Sequence, residues 1–556
     1  MKVVIVGGVA GGASCAARLR RLDESAEIIL VERGPYVSYA NCGLPYHIGD
    51  VIEQESKLLV ATEEYLRSYF NLDVRTHSEA IAISPREKTV QIRHIPSGRV
   101  EALAYDRLVL SPGAVAVRPP LPGIDLPGIF PVRTVPDARA IREWIASSSA
   151  AGRKTGRAVV VGGGFIGLEM AENLVHRGLD VTLVEMLDHV LPPIDWEHAC
   201  AVEEHLGAHG VKLALGDAVA GFERRDDGGV DVHTQSGRTH SGDLVILALG
   251  VRPDTTLARL AGLEIGECGG IRVNDRMQTS EPDIFAVGDA VEVRDFVTGQ
   301  WTLVALAGPA NRQGRIAADV IAGRDARFRG SQGTSIVGLF GAAIAWTGAS
   351  EKTLQRIGDR DYERAFLYPN SHATYYPGAC PIMMKVIFRR SDGRLLGVQA
   401  FGEDGVDKRV SAIATLIQMG ATVYDLEESE LCYAPQFGSA KDAVNFAGMV
   451  PANVLHGDFS AVHWNDARDG FILDVREAHE LEAAYLPQAV NIPLPQLRAR
   501  LNELPRDRDI NVICRAGLRG YYAVRILLQN GLRARVVSGG MLLIARIDPA
   551  AVRSRV

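Results

Sequence analysis

The sequence has little cysteine for its length, with 7 residues in 556, an odd number scattered along the chain. A disulfide scaffold is therefore not expected, and any specialised cysteine is better explained as a catalytic thiol in a reducing compartment. Positive charge is not in excess either, because 60 Lys and Arg stand against 67 Asp and Glu. The net charge of −7 excludes a nucleic-acid-binding protein that works through bulk positive charge.

Long apolar runs are also missing, since none reaches the roughly 18 residues that a membrane helix needs. The N-terminal apolar stretch could pass for a secretory or lipoprotein signal, but glycines interrupt it and arginines follow it, so a strand, a turn and a helix explain it better. We therefore expect a cytoplasmic protein with neither a membrane nor a nucleic acid as partner, and we predict no metal site. The composition, 47% hydrophobic and 23% charged, is that of an ordinary globular protein. Its length suits about three to four domains.

Glycine is abundant, with 57 residues, and two glycine clusters each stand between a predicted strand and a predicted helix. Strand, turn, helix and strand are predicted at residues 2–6, 7–12, 13–22 and 27–31, and again at 158–161, 162–167, 168–177 and 180–184. Such a unit binds a dinucleotide, because glycines let the backbone approach the pyrophosphate and the helix N-terminus favours its charge. Two units in one chain are the first indication of function.

The second turn reads GGGFIG and fits the G-x-G-x-x-G pattern through Gly162, Gly164 and Gly167. Glu185 ends the following strand, where a carboxylate accepts hydrogen bonds from a ribose hydroxyl and repels a 2′-phosphate. This arrangement favours NADH over NADPH.

The first turn, which reads GGVAGG, departs from the pattern because Val9 stands where the second glycine is expected. Its glycines are Gly7, Gly8, Gly11 and Gly12, and Glu32 follows at the expected distance. A single loop of this kind can be a plain turn between a strand and a helix. Two in tandem favour dinucleotide binding.

A third segment, residues 284–290, reads IFAVGDA, an apolar strand that ends in Gly-Asp. It resembles the flavin-binding signature of flavoproteins with two dinucleotide-binding domains, and segments 108–114 and 244–253 resemble the crossover strands of that family. The resemblance covers residues 1 to about 325. It implies that the first loop with Glu32 holds FAD, that the second with Glu185 holds NADH, and that Asp289 meets the ribityl chain. A helix cap is the alternative role for Asp289.

Cys42 has no second cysteine at the spacings that a dithiol reductase uses. A lone redox thiol must pair with a small exogenous thiol or cycle as a sulfenic acid, whereas a structural cysteine is the alternative. The surrounding string SYANCGLPY closely resembles the active-site segment of coenzyme A disulfide reductases. Ser38 and Asn41 flank Cys42 and are predicted to orient a bound thiol. The related peroxidases carry a histidine where this chain has Ala10, which argues against peroxide chemistry.

The resemblance continues at residues 373–378, ATYYPG, and 431–435, LCYAP. In the family these tyrosines reach the active site of the partner subunit, which implies a homodimer in which Tyr375 and Tyr433 act; Tyr376 is the neighbour most easily confused with Tyr375. A phenol can donate a proton to a leaving thiolate, and packing is the alternative. We interpret the other cysteines of this region and of the nucleotide-binding region as structural.

Near the C-terminus, residues 514–520 read CRAGLRG between an apolar strand and a predicted helix. N–H groups that curl around the sulfur of Cys514, together with Arg519, would stabilise a thiolate and then a persulfide. This is similar to the C-x-x-G-x-R loop of rhodanese sulfurtransferases, and segments 473–476 and 491–494 match that family as well. Segment 484–487 departs from it, reading AYLP where GHIP is usual. Phosphatase-like relatives also use a Cys loop ending in Arg, and the short loop favours sulfur.

The predicted fold class is α/β, with two Rossmann-like dinucleotide-binding domains, an α+β dimerisation domain and a C-terminal α/β rhodanese domain. The predicted boundaries are 1–150 with 271–325 for a discontinuous FAD-binding domain, 151–270 for the NAD-binding domain, 326–447 for dimerisation, 448–465 for a linker and 466–556 for the rhodanese domain.

The whole chain resembles fusions of coenzyme A disulfide reductase with rhodanese, including NADH-dependent persulfide reductases. This implies that electrons pass from NADH through FAD to a disulfide on Cys42, which attacks a coenzyme A persulfide or polysulfide and releases hydrosulfide, while Cys514 delivers or removes sulfane sulfur. Arg18, Arg20 and Arg21 either bind the coenzyme A phosphates or form a solvated basic face. Glutathione or inorganic polysulfide stays open as the substrate. The alternative functions are a coenzyme A disulfide reductase, an NADH oxidase, and a rhodanese domain that only docks a protein.

Overall fold

The structure, a computed structural model, describes residues 1–150 and 156–555. The described chain divides into two compact units, residues 1–188 with 210–333 and residues 189–209 with 334–556. Residue 151, where the predicted NAD-binding domain begins, lies outside the described residues.

The first unit contains two parallel five-stranded sheets. The strands of the first sheet lie in the order Ile284–Ala286, Arg107–Leu110, Lys2–Val6, Glu27–Val31 and Asp73–Arg75. Its inner strands are unbroken apolar runs because both faces of a parallel sheet are covered. The helices Ala10–Arg20 and Ala307–Ile321 pack together, and a Cβ on Gly314 would lie 2.2 Å from the backbone oxygen of Gly11.

The second sheet has the strand order Lys212–Ala214, Asp180–Val184, Arg157–Val161, Leu244–Leu247 and Ile129–Pro131. Its last strand comes from the range that the sequence assigned to the FAD-binding domain. The chain therefore enters the second sheet before the predicted boundary at residue 150.

The helices after both glycine loops begin three residues earlier than predicted, at Ala10 and at Phe165. Gly11, Gly12 and Gly167, which were assigned to the turns, lie within the first helical turn. A Cβ on Gly12 would lie 1.9 Å from the backbone oxygen of Gly7, and a Cβ on Gly167 would lie 1.9 Å from that of Gly162. Close packing of the helix on the preceding loop explains these glycines.

Smaller antiparallel sheets and further helices complete the first unit. The strands are Ser78–Ser84 with Thr89–His94 and Val100–Ala104, Val219–Arg224 with Val230–Thr234 and Thr239–Gly242, Ala114–Ala116 with Val251–Pro253, and Val291–Arg294 with Trp301–Leu303 and, in parallel, Ile271–Arg272. The helices are Leu44–Ile48, Glu63–Phe70, Val135–Ala150, Phe165–His176 and Thr256–Leu260.

The second unit contains an antiparallel sheet and a parallel sheet, each of five strands. The antiparallel order is Ser335–Leu339, Ala342–Gly348, Leu395–Gly402, Met383–Arg389 and Tyr362–Leu367. The parallel order is Ser460–Val462, Ala534–Val537, Ile510–Ile513, Phe471–Asp474 and Val490–Asn491. The helices are Trp196–Ala208, Glu351–Arg356, Val406–Gln418, Val423–Glu427, Ala443–Leu455, Trp464–Ala467, Glu480–Ala483, Leu494–Leu497, Leu518–Gln529 and Gly540–Ile547.

The predicted linker at 448–465 has regular structure: the helix Ala443–Leu455 runs through its first half, and a strand begins at Ser460. Gly448 and Pro451 are both buried in this helix. A Cβ on Gly448 would lie 2.2 Å from the backbone nitrogen of Glu427, so this glycine permits close helix packing. No helix within the described residues is long and apolar enough to cross a membrane.

Candidate functional site

Both glycine loops are braced by the acidic residue that ends the next strand. Glu32 accepts hydrogen bonds from the backbone N–H groups of Gly8 at 2.8 Å and Gly34 at 2.7 Å. Glu185 does the same with Gly163 at 2.6 Å and Leu187 at 2.8 Å. Because a carboxylate offers about four acceptor positions, each acid keeps capacity for ribose hydroxyls.

In both loops the N-terminus of the following helix is accessible to a phosphate. Among the described residues, no side chain caps the N-terminus of either following helix, and neither helix has an acidic residue in its first turn. A Cβ on Gly164 would meet no atom within 4 Å, so the backbone there is open to close approach. Gly7 and Gly162 have φ values of +96° and +109°, which glycine adopts without strain. These features fit a bound pyrophosphate.

A cavity of about 580 Å³ in the first unit connects the first loop to the predicted redox cysteine. Its walls include Gly7, Gly11, Glu32, Cys42, Arg133 and Asp289. A phosphate loop, a ribose acceptor, a further carboxylate and a thiol therefore share one enclosure, as an elongated flavin dinucleotide requires. The residues present fit FAD. Ser38 is not in the wall; its N–H donates to the backbone oxygen of Gly8 at 2.8 Å, and its φ is +46°.

Asp289 lies in the short 3-10 turn Gly288–Ala290 and points its carboxylate at Arg133, 3.1 Å away. The alternative role for Asp289 was a helix cap, whereas in the structure its carboxylate forms this ion pair. The preceding Gly288 donates its N–H to the side-chain oxygen of Gln313 at 2.7 Å, which fixes the turn. Arg133 was missed by sequence reasoning, since an arginine far from any motif carries no local signal.

Cys42 is exposed at the cavity wall, in the 3-10 turn Asn41–Gly43. Partial burial of the thiol, followed by the negative charges of Glu169 and Asp289, raises the pKa of Cys42, while Arg133 lowers it. Asn41 donates its side-chain amide to the backbone oxygen of Arg133 at 3.2 Å and so links the turn to that cation. The thiolate consequently depends on the balance between one guanidinium and two carboxyl groups.

Glu169 is a second group that the sequence did not indicate. It lies on the helix Phe165–His176, and burial raises its pKa to about 7. The hydroxyl of Tyr46 donates to it at 3.4 Å, and burial together with Glu169 raises the pKa of Tyr46 to about 12. The position of Glu169 two residues after Gly167 gave no sign of this role, because the effect on Cys42 arises only when the fold brings the two segments together.

The three arginines proposed for coenzyme A have different surroundings. Arg20 is 5% exposed and donates to the backbone oxygens of Phe70, Asp23, Glu24 and Asn71, which is a structural role. Arg18 donates to Asp319 at 2.7 Å. Arg21 is exposed. The geometry therefore does not support Arg20 as a phosphate ligand.

In the second unit, the hydroxyls of Tyr375 and Tyr433 are 2.6 Å apart, and both residues are exposed. This hydrogen bond raises the pKa of Tyr375. Tyr376 instead packs edge-on against His372, with ring centroids 5.7 Å apart. The structure thus separates the two adjacent tyrosines that the sequence could confuse.

Cys514 lies at the end of the strand Ile510–Ile513, and its sulfur accepts the backbone N–H of Gly517 at 3.0 Å. Gly517 has a φ of +118°, which lets the loop curl around the sulfur. Arg519, predicted to stabilise the thiolate, directs both terminal nitrogens at Glu480, at 2.6 and 2.7 Å. Glu480 was not anticipated, because it lies 39 residues away in sequence.

Residues 1–314 match the family Pyridine nucleotide-disulphide oxidoreductase, residues 334–443 match the dimerisation domain of that family, and residues 460–546 match the Rhodanese-like domain. The chain belongs to the pyridine nucleotide-disulphide oxidoreductases, a family of enzymes that use FAD and NADH, and it carries a rhodanese-like domain. The oxidoreductase family, the rhodanese-like domain and the α/β fold class that the sequence analysis predicted are all confirmed.

Three relatives each match 80% or more of the chain. The coenzyme A disulfide reductase of Staphylococcus epidermidis is 33% identical over 448 residues, which are 80% of this chain and 99% of the relative. Reduced CoADR-RHD of Bacillus anthracis is 46% identical, with a TM-score of 0.96 over 99% of both chains. A NAD-dependent persulfide reductase from A. fulgidus is 36% identical, with a TM-score of 0.91 over 98% of this chain and 100% of that chain.

Proposed function

We propose that the protein uses NADH and FAD to reduce a low-molecular-weight persulfide, with coenzyme A persulfide as first choice, or polysulfide, to thiol and hydrogen sulfide. The observation that carries the proposal is the position of Cys42, a lone thiol in the wall of the cavity that the first dinucleotide loop and Asp289 also line. Cys514, held in its own N–H loop, is the proposed sulfurtransferase thiol.

When bound, FAD supplies a two-electron relay from NADH to a disulfide on Cys42. We assign Gly7, Gly8, Gly11, Gly12, Glu32 and Asp289 to FAD, and Gly162, Gly164, Gly167 and Glu185 to NADH. The Cys42 thiolate attacks the inner sulfur of R–S–SH, the new S–S bond forms on Cys42, and hydrosulfide leaves with the electron pair of the broken bond. Two electrons and a proton then release RSH, so the balance is NADH + H⁺ + RSSH → NAD⁺ + RSH + H₂S.

The remaining groups bind and position. Asn41 holds the Cys42 turn to the backbone of Arg133, and the charge of Arg133 favours the Cys42 thiolate. Tyr375 and Tyr433 share one hydrogen bond and supply a proton to the leaving thiolate in a homodimer. Arg18 and Arg21 remain candidates for coenzyme A phosphates. The cytoplasm is the proposed location, since an odd number of scattered cysteines, 7 in 556 residues, is not typical of a disulfide framework.

Two other activities have a specific observation in their favour. Coenzyme A disulfide reduction is favoured by the Staphylococcus relatives. NADH oxidation is favoured by a water-forming NADH oxidase from Lactobacillus brevis, 26% identical with a TM-score of 0.77 over 82% of this chain and 99% of that chain. A rhodanese domain that only docks a protein has no such support, because the Cys514 loop is formed.

The test is NADH turnover by the FAD-loaded enzyme on coenzyme A persulfide, polysulfide, coenzyme A disulfide and oxygen. The persulfide should give the highest kcat/KM, and Cys42→Ser should abolish turnover on the sulfur substrates. A clearly faster reaction with the disulfide would overturn the proposal, and oxygen consumption that survives Cys42→Ser would support the oxidase. The mass of whatever is attached to Cys42 in the isolated protein identifies the thiol.

A further inference from the structure

The guanidinium of Arg519 in the Cys514 loop is already occupied by a carboxylate. Both terminal nitrogens of Arg519 donate to Glu480, each to a different oxygen, at 2.6 and 2.7 Å. Glu480 is held in place because it also accepts the backbone N–H of Glu477 at 3.0 Å. Hydrogen bonding to Arg519 lowers the pKa of Glu480 to about 2, so the carboxylate is charged at neutral pH.

The neighbouring charges beside the loop are one further carboxylate, one paired arginine and one exposed arginine. Glu477 also faces Arg519. Arg476 is buried and directed at Asp474, 2.7 Å away. Arg515 is exposed on the loop itself. The fork of Arg519 is therefore occupied by a carboxylate, in contrast to the unpaired fork by which an arginine binds a small oxyanion.

We propose that Glu480 determines the donor specificity of Cys514: by holding the fork of Arg519, it makes the loop accept a persulfide at the end of an uncharged arm and reject small dianions such as thiosulfate. This inference rests on the proposed sulfurtransferase function of Cys514. It agrees with a coenzyme A persulfide, whose phosphates are many bonds away from its sulfur.

The transfer step is balanced without another reactant. The Cys514 thiolate attacks the terminal sulfur of R–S–SH, an S–S bond forms on Cys514, and the bond between R–S and that sulfur breaks. RS⁻ leaves with the electron pair and takes a proton from water. With thiosulfate the leaving group would be sulfite, whose developing charge needs a cation that Glu480 has neutralised.

The test uses the full-length, reduced protein and its Glu480→Gln variant. Hydroxyethyl persulfide and thiosulfate are supplied separately, and the rate at which the peptide containing Cys514 gains one sulfur atom is measured by mass spectrometry. Glu482→Gln is the matched control. Glu482 is exposed on the same short helix, and its substitution changes the net charge by the same amount. The ratio of the two rates is the readout, since a change in the Cys514 thiol pKa alters both rates and largely cancels.

Glu480→Gln should raise the ratio of the thiosulfate rate to the persulfide rate about tenfold, the effect of one freed charge-assisted hydrogen bond. Glu480→Asp, which keeps the charge, and Glu482→Gln should leave the ratio within about twofold. An unchanged ratio in Glu480→Gln with an active wild type would overturn the inference alone. If Glu480→Gln does not fold, Glu480→Ala, which also frees the fork of Arg519, is measured in its place, and an unchanged ratio there would overturn the inference. A wild type whose Cys514 gains sulfur from neither donor would overturn the sulfurtransferase function itself.

Discussion

The carboxylate of Glu185 accepts the backbone N–H of Gly163 at 2.6 Å, and Glu32 accepts that of Gly8 at 2.8 Å in the same position of the first loop. Each acid thus shapes a phosphate loop and retains acceptor capacity for a ribose. Because the two carboxylates are placed alike, substituting one at a time distinguishes experimentally which loop binds which dinucleotide.

Glu185→Gln should lower the ratio of kcat/KM for NADH to that for NADPH by about tenfold, because a charged acceptor for the ribose hydroxyls is lost and the repulsion of a 2′-phosphate disappears. Steady-state kinetics with both nucleotides measure this ratio. Glu32→Gln is the control: it should lower the FAD content and leave the nucleotide preference of the FAD-loaded fraction unchanged. A ratio that does not move in Glu185→Gln would reassign the second loop.

The strands were predictable because their signal is local. Lys2–Val6 and Asp180–Val184 appear as expected, since each is an apolar run bounded by polar or glycine residues. Gly11 and Gly12 misled the prediction of the helix start, because a glycine placed for close packing reads like a glycine placed for a turn.

Motif residues were also visible in sequence, whereas the groups that tune them were not. Cys42 and Cys514 are both indicated by short strings around them. The influence of Glu169 on Cys42, and of Glu480 on Arg519, arises from distant segments that the fold brings together. Such pairs leave no periodicity or spacing that one sequence can reveal.

The ionisation of Cys42 should respond to Glu169. As the pH rises through about 7, Glu169 becomes charged and then disfavours the Cys42 thiolate, so the wild-type thiol should titrate over a broad range. Glu169→Gln should move the midpoint of Cys42 alkylation to lower pH and sharpen the curve. Peptide mass spectrometry after iodoacetamide treatment of the FAD-loaded enzyme at a series of pH values gives the midpoint.

Arg133→Gln provides the opposite change, because it removes the cation that lowers the pKa of Cys42. Its alkylation midpoint should move to higher pH. Shifts in the same direction for the two variants would show that general disruption of the cavity, not charge, controls the thiol.

The tyrosine pair should behave as one unit. Tyr375→Phe and Tyr433→Phe should each lower kcat/KM for the persulfide by roughly tenfold to a hundredfold, and the double variant should be little worse than either, because the two hydroxyls share one hydrogen bond. Tyr376→Phe should stay within about twofold of the wild type. Additive losses in the double variant would contradict a shared role.

Arg20 and Arg21 are adjacent in sequence, yet their replacement should give different results. Arg20→Ala leaves four backbone oxygens without their donor in a buried site and should cost about 1–3 kcal/mol, seen as a lower temperature of the first thermal transition. Arg21→Ala should leave that temperature unchanged, since the residue is exposed. If Arg21 binds a coenzyme A phosphate, its variant should raise KM for coenzyme A persulfide about threefold or more and leave KM for hydroxyethyl persulfide, which has no phosphate, unchanged. Equal increases in KM for both persulfides would show that Arg21 affects the binding of the persulfide group, and would exclude a phosphate contact.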